Sequence, residues 1–191
     1  MAKKSTTTTT EPPDPPPADL AIDGARIRRL RPGDAAAVQR LYERCTDFHE
    51  LAEGMPTRPT AGAEEIEALP PGKMSTDKHL FGIVAADGEL AGYVDLTRDY
   101  PERGEWWLGL LMLDPASRGA GLGSRVVRGA AEWAVGRGAR AILLGVLEQN
   151  PRAERFWRRQ GFAELDRRPY TSDTGLPSRI IVMRLALAGA G

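Results

Sequence analysis

The stretch "DPASRGAGLGSRV", Asp114 to Val126, decides how the rest of this 191-residue chain is read. Gly119, Gly121 and Gly123 stand at alternate positions between an apolar run, "WWLGLLML", and a segment with helical apolar spacing. Ordering three glycines costs backbone entropy, and a bound ligand would offset that cost. A strand that passes through glycines into a helix N-terminus suits an anion. Unpaired N–H groups point outward, the helix dipole favours negative charge, and missing Cβ atoms let a phosphate approach closely.

Working outward, a helix is predicted from about Gly121 to Arg137, with Leu122, Val126, Ala130, Trp133 and Ala134 on one face. The strand before the glycines, "GEWWLGLLML", has no polar face after Glu105, so it should be central and covered on both sides. "ARAILLGVL" is a further buried strand. In "NPRAERFWRRQGF", Asn150 is a candidate N-cap, Pro151 takes the first helical position and Gly161 closes the helix. "GFAELDRR" and "SRIIVMRLAL" read as the last two strands.

Upstream, "GARIRRLRPGD" is a first strand stopped by Pro32-Gly33, and Asp34 can cap a helix whose apolar stripe is Ala37, Val38, Leu41, Tyr42 and Cys45. "EGMPTRPTAGA" reads as loop and "AEEIEAL" as a short helix. "HLFGIVAA" and "ELAGYVDLTRDY" are strands joined at Asp87-Gly88. The predicted order is strand, two helices, three strands, helix, strand, helix, two strands. The first 22 residues hold Thr6–Thr10 and five prolines, which cannot build a core, so residues 1–22 read as a disordered tail and 23–188 as one domain.

Composition narrows the function. Lys+Arg and Asp+Glu are equal at 26 each, which argues against a chain built to grip nucleic acid or an anionic membrane. Cys45 is the sole cysteine, so no intrachain disulfide forms; a reducing, cytoplasmic setting fits. With only His49 and His79 as histidines, no metal site is expected. No apolar run approaches the roughly 20 residues that span a bilayer.

Three phosphate-loop patterns compete for the glycines. The dinucleotide fingerprint G-x-G-x-x-G fails from Gly119, since Ser124 takes its third position. The P-loop fails because no lysine follows the glycines. R/Q-x-x-G-x-G/A fits at Arg118, Gly121 and Gly123, with a strand before it, a helix after it and "NPRAERFWRRQGF" downstream. On these motifs the sequence resembles the GNAT superfamily of acetyl-CoA-dependent N-acetyltransferases, most closely over about 104–165 and by strand order over about 24–187.

The resemblance implies an α/β fold: a mixed central sheet of about six or seven strands, splayed in the middle and flanked by about four helices. It implies acetyl-CoA as co-substrate, no metal, an amine-bearing acceptor (a small molecule favoured), and makes a homodimer a fair expectation. The amides of Gly119, Ala120, Gly121, Leu122, Gly123 and Ser124 would hold the pyrophosphate, with Arg118 shaping the loop and meeting phosphate. Main-chain groups of Leu111, Met112 and Leu113 would pair with the pantetheine arm like an added strand. Asn150 would contact the cofactor near its thiol end, and Trp157 would pack there.

Acetyl transfer to an amine requires a deprotonated nitrogen, a polarised thioester carbonyl and held geometry. For the proton acceptor, Glu105 stands out as the carboxylate heading an apolar strand, and the resemblance implies a base there, since the histone-acetyltransferase branch of the family carries its glutamate at the same thirteen residues before the place of Arg118; Glu148 is the alternative. A backbone N–H between Gly109 and Leu113 suits the carbonyl. The family's usual acid is a tyrosine at the place of Trp157, whose indole releases no proton at useful pH; the alternatives are that the thiolate leaves unassisted, that water helps, or that Tyr170 reaches in. Asp47, His49 and Glu50 lie in an acidic stretch that suits a cationic acceptor. The missing tyrosine gives weight to a second reading, a non-catalytic acyl-CoA-binding or sensor module.

Overall fold

A computed structural model describes residues 20–172 and 174–188. The expected tail lies outside them except for its last members. Leu20 and Ile22 are buried against the core, so packing reaches back to residue 20 rather than 23.

Among the described residues, strands β1 (Arg26–Arg29), β2 (Lys78–Val84), β3 (Leu90–Thr97), β4 (Glu105–Leu113), β5 (Ala141–Leu147), β6 (Ala163–Thr171) and β7 (Pro177–Ala186) form one seven-stranded sheet. Their spatial order is β1-β2-β3-β4-β5-β7-β6. Five helices flank it: α1 (Ala35–Arg44), α2 (Thr46–Glu53), α3 (Ala61–Glu67), α4 (Leu122–Val135) and α5 (Pro151–Arg159). The architecture is the mixed α/β sheet expected.

The front of the sheet packs Val38, Leu41 and Tyr42 of α1 against Leu80, Tyr93 and Met112. On the back, Val126, Ala130 and Trp133 of α4 meet Phe81, Leu96 and Trp106, and Trp157 of α5 joins them. Burying each such side chain stabilises by about 1.5–3 kcal/mol.

Two differences from the sequence reading matter. Thr46–Glu53 is a separate helix, α2, and Cys45, read as part of the first helix's apolar stripe, is the junction after α1. Cys45 leaves helical geometry at φ −102°, ψ 43°, and Gly54 closes α2 at φ 70°. The break turns Phe48 and Leu51 toward a cavity while His49 packs on Tyr42, with ring centroids 4.6 Å apart. Second, β4 is not covered throughout: Trp106, Leu108 and Met112 are buried but Gly109 is exposed.

The exposure of Gly109 follows from the sheet's one parallel pair. β4 and β5 are in register from Glu105↔Ala141 to Leu108↔Leu144 and no further. Beyond that point β4 stays with β3 and β5 stays with β7. The strands part, and the β5-facing edge of Gly109–Leu113 is left without a strand. A bulge on the other edge sets Gly109 and Leu110 opposite the single residue Asp95.

Candidate acetyl-CoA and acceptor site

A cavity of about 640 Å³ occupies the place where β4 and β5 part. Its walls are Leu110–Leu113 of β4, the loop from Arg118 to Ser124, the start of α5, and α2.

The loop is built by local chemistry. Asp114 Oδ1 accepts from the Ala116 N–H at 2.9 Å, which turns the chain as it leaves β4. Arg118 Nε donates to the Leu113 carbonyl at 2.9 Å, folding the loop back on its own strand. Its two terminal nitrogens grip Asp47 of α2 at 2.5 and 3.1 Å, which holds the Asp47 carboxyl below the usual range. Gly121 enters α4 at φ 75°, a conformation that a side chain disfavours, and carries no capping side chain. The first N–H drawn into α4 from beyond this turn is that of Arg125, to the Gly121 carbonyl at 3.1 Å. The amides of Leu122, Gly123 and Ser124 precede it, at the open end of the helix.

Of the residues expected to hold the cofactor, Leu111, Met112, Leu113, Arg118, Gly119, Gly121, Gly123, Ser124, Asn150 and Trp157 line this cavity. Ala120 and Leu122 do not. The Ala120 carbonyl accepts from Arg125 Nη1 at 3.1 Å, and Leu122 packs on the core. Asn150 caps α5, its Oδ1 accepting from the Ala153 N–H at 3.0 Å, so its amide NH2 remains for a ligand. Trp157 is wedged edge-on between Phe156 and Phe162.

The acceptor-side candidates separate. Asp47 lines the cavity, whereas Glu50 and His49 do not. His49 points inward with neither ring nitrogen in a hydrogen bond, Nδ1 standing 3.8 Å from a Glu53 carboxylate oxygen, and burial lowers its pKa. Glu105 accepts from Arg184 Nε at 3.3 Å at the paired end of β4. At about 3.3 Å per residue it lies about 13 Å along the strand from Gly109, outside the cavity wall. Glu148 sits between Arg167 at 2.7 Å and Arg179 at 3.3 Å, and Tyr170 on β6 is also outside the lining. Sequence reading missed Phe48, Leu51, Arg152 and Arg159, which also line it. The basic spacing of α5 signals Arg152 and Arg159; nothing local signals Phe48 and Leu51.

A model of the acetyltransferase (GNAT) family matches residues 35–162. The chain belongs to the GNAT acetyltransferase family. This acetyltransferase is 31% identical over 157 residues to streptothricin acetyltransferase from Streptomyces lavendulae, covering 71% of this chain and 80% of that protein. Its fold is similar to that of nourseothricin acetyltransferase, with 25% identity, a TM-score of 0.61, and 86% and 99% of the two chains covered. The spermidine N-acetyltransferase of Vibrio cholerae, solved with CoA and spermine, shares the fold at 17% identity and a TM-score of 0.65, covering 85% of this chain and 95% of that one. The family's members use acetyl-CoA. Among the described residues no group of side chains could hold a metal ion, and no helix is long and apolar enough to cross a membrane.

Proposed function

We infer that this acetyltransferase moves the acetyl group of acetyl-CoA onto an amine nitrogen by direct attack in a ternary complex, with a small-molecule acceptor of the streptothricin kind. One observation carries the reading. The edge of β4 that loses its partner after Leu108 runs straight into the glycine loop, and both open into one cavity. The free edge suits an extended arm that pairs like a strand, and the open end of α4 suits a pyrophosphate. Arg152 and Arg159 add positive charge on the same wall. The acceptor would enter past α2, where Phe48 and Leu51 offer apolar contact and Asp47 offers charge. Asn150 would meet the thiol end of the cofactor with its free amide.

Calorimetry tests the first half. The protein should bind acetyl-CoA in the micromolar range and not bind NAD. Gly121→Val, which places a branched side chain at φ 75° in the phosphate loop, should weaken acetyl-CoA by about tenfold or more, a loss of about 1.4 kcal/mol. Turnover with streptothricin tests the second half. Tight acetyl-CoA binding with no transfer to any amine would favour the non-catalytic module, a reading that Trp157 supports.

A further inference from the structure

Asp95 is the buried charge that the fold does not explain. It lies in the middle of β3, 7% exposed, on the front of the sheet. Oδ1 is sealed from solvent and has no hydrogen-bond partner among the described residues. Lys78 Nζ stands 3.6 Å from Oδ2, but that ammonium donates to the Glu65 carbonyl at 2.5 Å and the Ala68 carbonyl at 2.7 Å. A buried carboxylate left without hydrogen bonds is costly, and such groups cluster where a protein does chemistry.

What faces Asp95 is the bulge of β4. A Cβ built on Gly109 would lie 2.5 Å from Asp95 Oδ2, and its three nearest atoms all belong to Asp95. The carboxylate fills the space where a side chain at 109 would stand. Gly109 is exposed, and it is the first residue of β4 past the last β5 pair. Neither Asp95 nor Gly109 lines the cavity, but Leu110, which shares the bulge opposite Asp95, does, so the carboxylate stands directly behind the cavity wall.

We propose that Asp95 takes the proton from the acceptor's ammonium through one intervening water beside Gly109, where no side chain blocks the way. The proposal rests on the N-acetyltransfer reading. The balance is simple. One N–H proton passes to the carboxylate. The freed nitrogen pair forms the bond to the acetyl carbon, and the carbon–sulfur bond breaks with its electrons going to sulfur. The second nitrogen proton passes to that sulfur, and Asp95 releases its own to solvent before the next turn.

The surroundings support a proton shuttle. Burial lifts the carboxyl to about 7, against the pull of the Lys78 ammonium and with a smaller push from Glu65 of α3. From α1 and β3, Tyr42 and Tyr93 bring hydroxyls 2.6 Å apart, which burial keeps neutral well above their usual range. Opposite Asp95, β4 presents Gly109 and Leu110, neither of them charged.

The test has two arms. In protein labelled with 13C at the aspartate carboxyls, the resonance lost in Asp95→Asn should titrate near pH 7. If that variant does not fold, Gly109→Ala identifies the same resonance by shifting it. A midpoint in the ordinary carboxylate range overturns the proposal. In the second arm, streptothricin turnover should fall about 100-fold or more in Asp95→Asn, lose the limb near pH 7 in its rate profile, and keep acetyl-CoA affinity. Turnover within about twofold of wild type, or a limb that vanishes in Glu105→Gln instead, overturns it while the acetyltransfer reading stands. Failure of the wild-type protein to bind acetyl-CoA overturns both. With no turnover on streptothricin, the second arm is read with spermidine, and a wild type that binds acetyl-CoA but acts on neither amine overturns the proposal.

Discussion

Two buried ionisable side chains make the protein's stability depend on pH in opposite senses. His79 is stacked on Trp106 at 5.6 Å and edge-on to Trp133 at 5.0 Å. Burial first, then the Arg29 charge, depress its pKa from 6.5 to about 4. Between those values the unfolded chain takes up the proton and the native one refuses it. The His79 contribution is therefore whole above pH 6.5 and is lost as the pH falls toward 4. Asp95 is raised from 3.8 to about 7, so its burial favours folding below 3.8 and loses that advantage as the pH rises through 7. His79→Phe keeps the ring contacts and removes the titration. Urea unfolding should show the wild type losing about 2 kcal/mol more than this variant between pH 7 and pH 5; equal losses would mean that His79 is not held neutral. Asp95 is common to both proteins and cancels. At this scale the sequence was legible only where a residue acts locally. The loop glycines announced themselves by spacing. Asp95 did not, because it reads as one polar residue in "ELAGYVDLTRDY" and gains meaning only from a register that sets it against Gly109, fourteen positions away.

Elements were legible where their ends carry chemistry. Asn150 and Pro151 mark the start of α5, and the structure has that cap with its hydrogen bond. The break between α1 and α2 falls at Cys45-Thr46, where neither residue is a helix breaker. What divides them is tertiary: His49 must reach Tyr42 while Phe48 reaches the cavity. The cap made by Asn150 and its proposed cofactor contact can be separated by experiment. Asn150→Asp keeps an oxygen to cap α5, so the urea midpoint should stay within about 0.5 kcal/mol of wild type. It replaces the amide NH2 with a negative charge, so acetyl-CoA affinity should fall by about tenfold. A loss of stability with affinity unchanged would make Asn150 a cap and nothing more.

Across the whole molecule, apolar packing covers β2, β3, β4, β5 and β7, the edge strand β6 stays exposed along its length, and β4 and β5 part in the middle. The sheet's splay is not visible in the strand pattern alone: "GEWWLGLLML" and "ARAILLGVL" read as continuous, and only their register shows that they pair over four residues. The N-terminal segment was also misread by composition. Leu20 and Ile22 follow a proline-rich stretch yet lie on α4, where a Cβ at Gly129 would come within 2.9 Å of the Ala21 carbonyl. Leu20→Ala should therefore cost about 3 kcal/mol in urea unfolding, and a cost near zero would remove this segment from the core.

The grip of Arg118 on Asp47 ties two walls of the cavity to one side chain. Its guanidinium closes the glycine loop through the Leu113 carbonyl and anchors α2 through Asp47. A pyrophosphate arriving at the loop draws on that same positive charge, and whatever it takes is taken from Asp47. A cationic acceptor arriving at Asp47 does the reverse. Two ligands bound as proposed would therefore communicate without touching, and the free-energy linkage between them would have one value whichever arrived first.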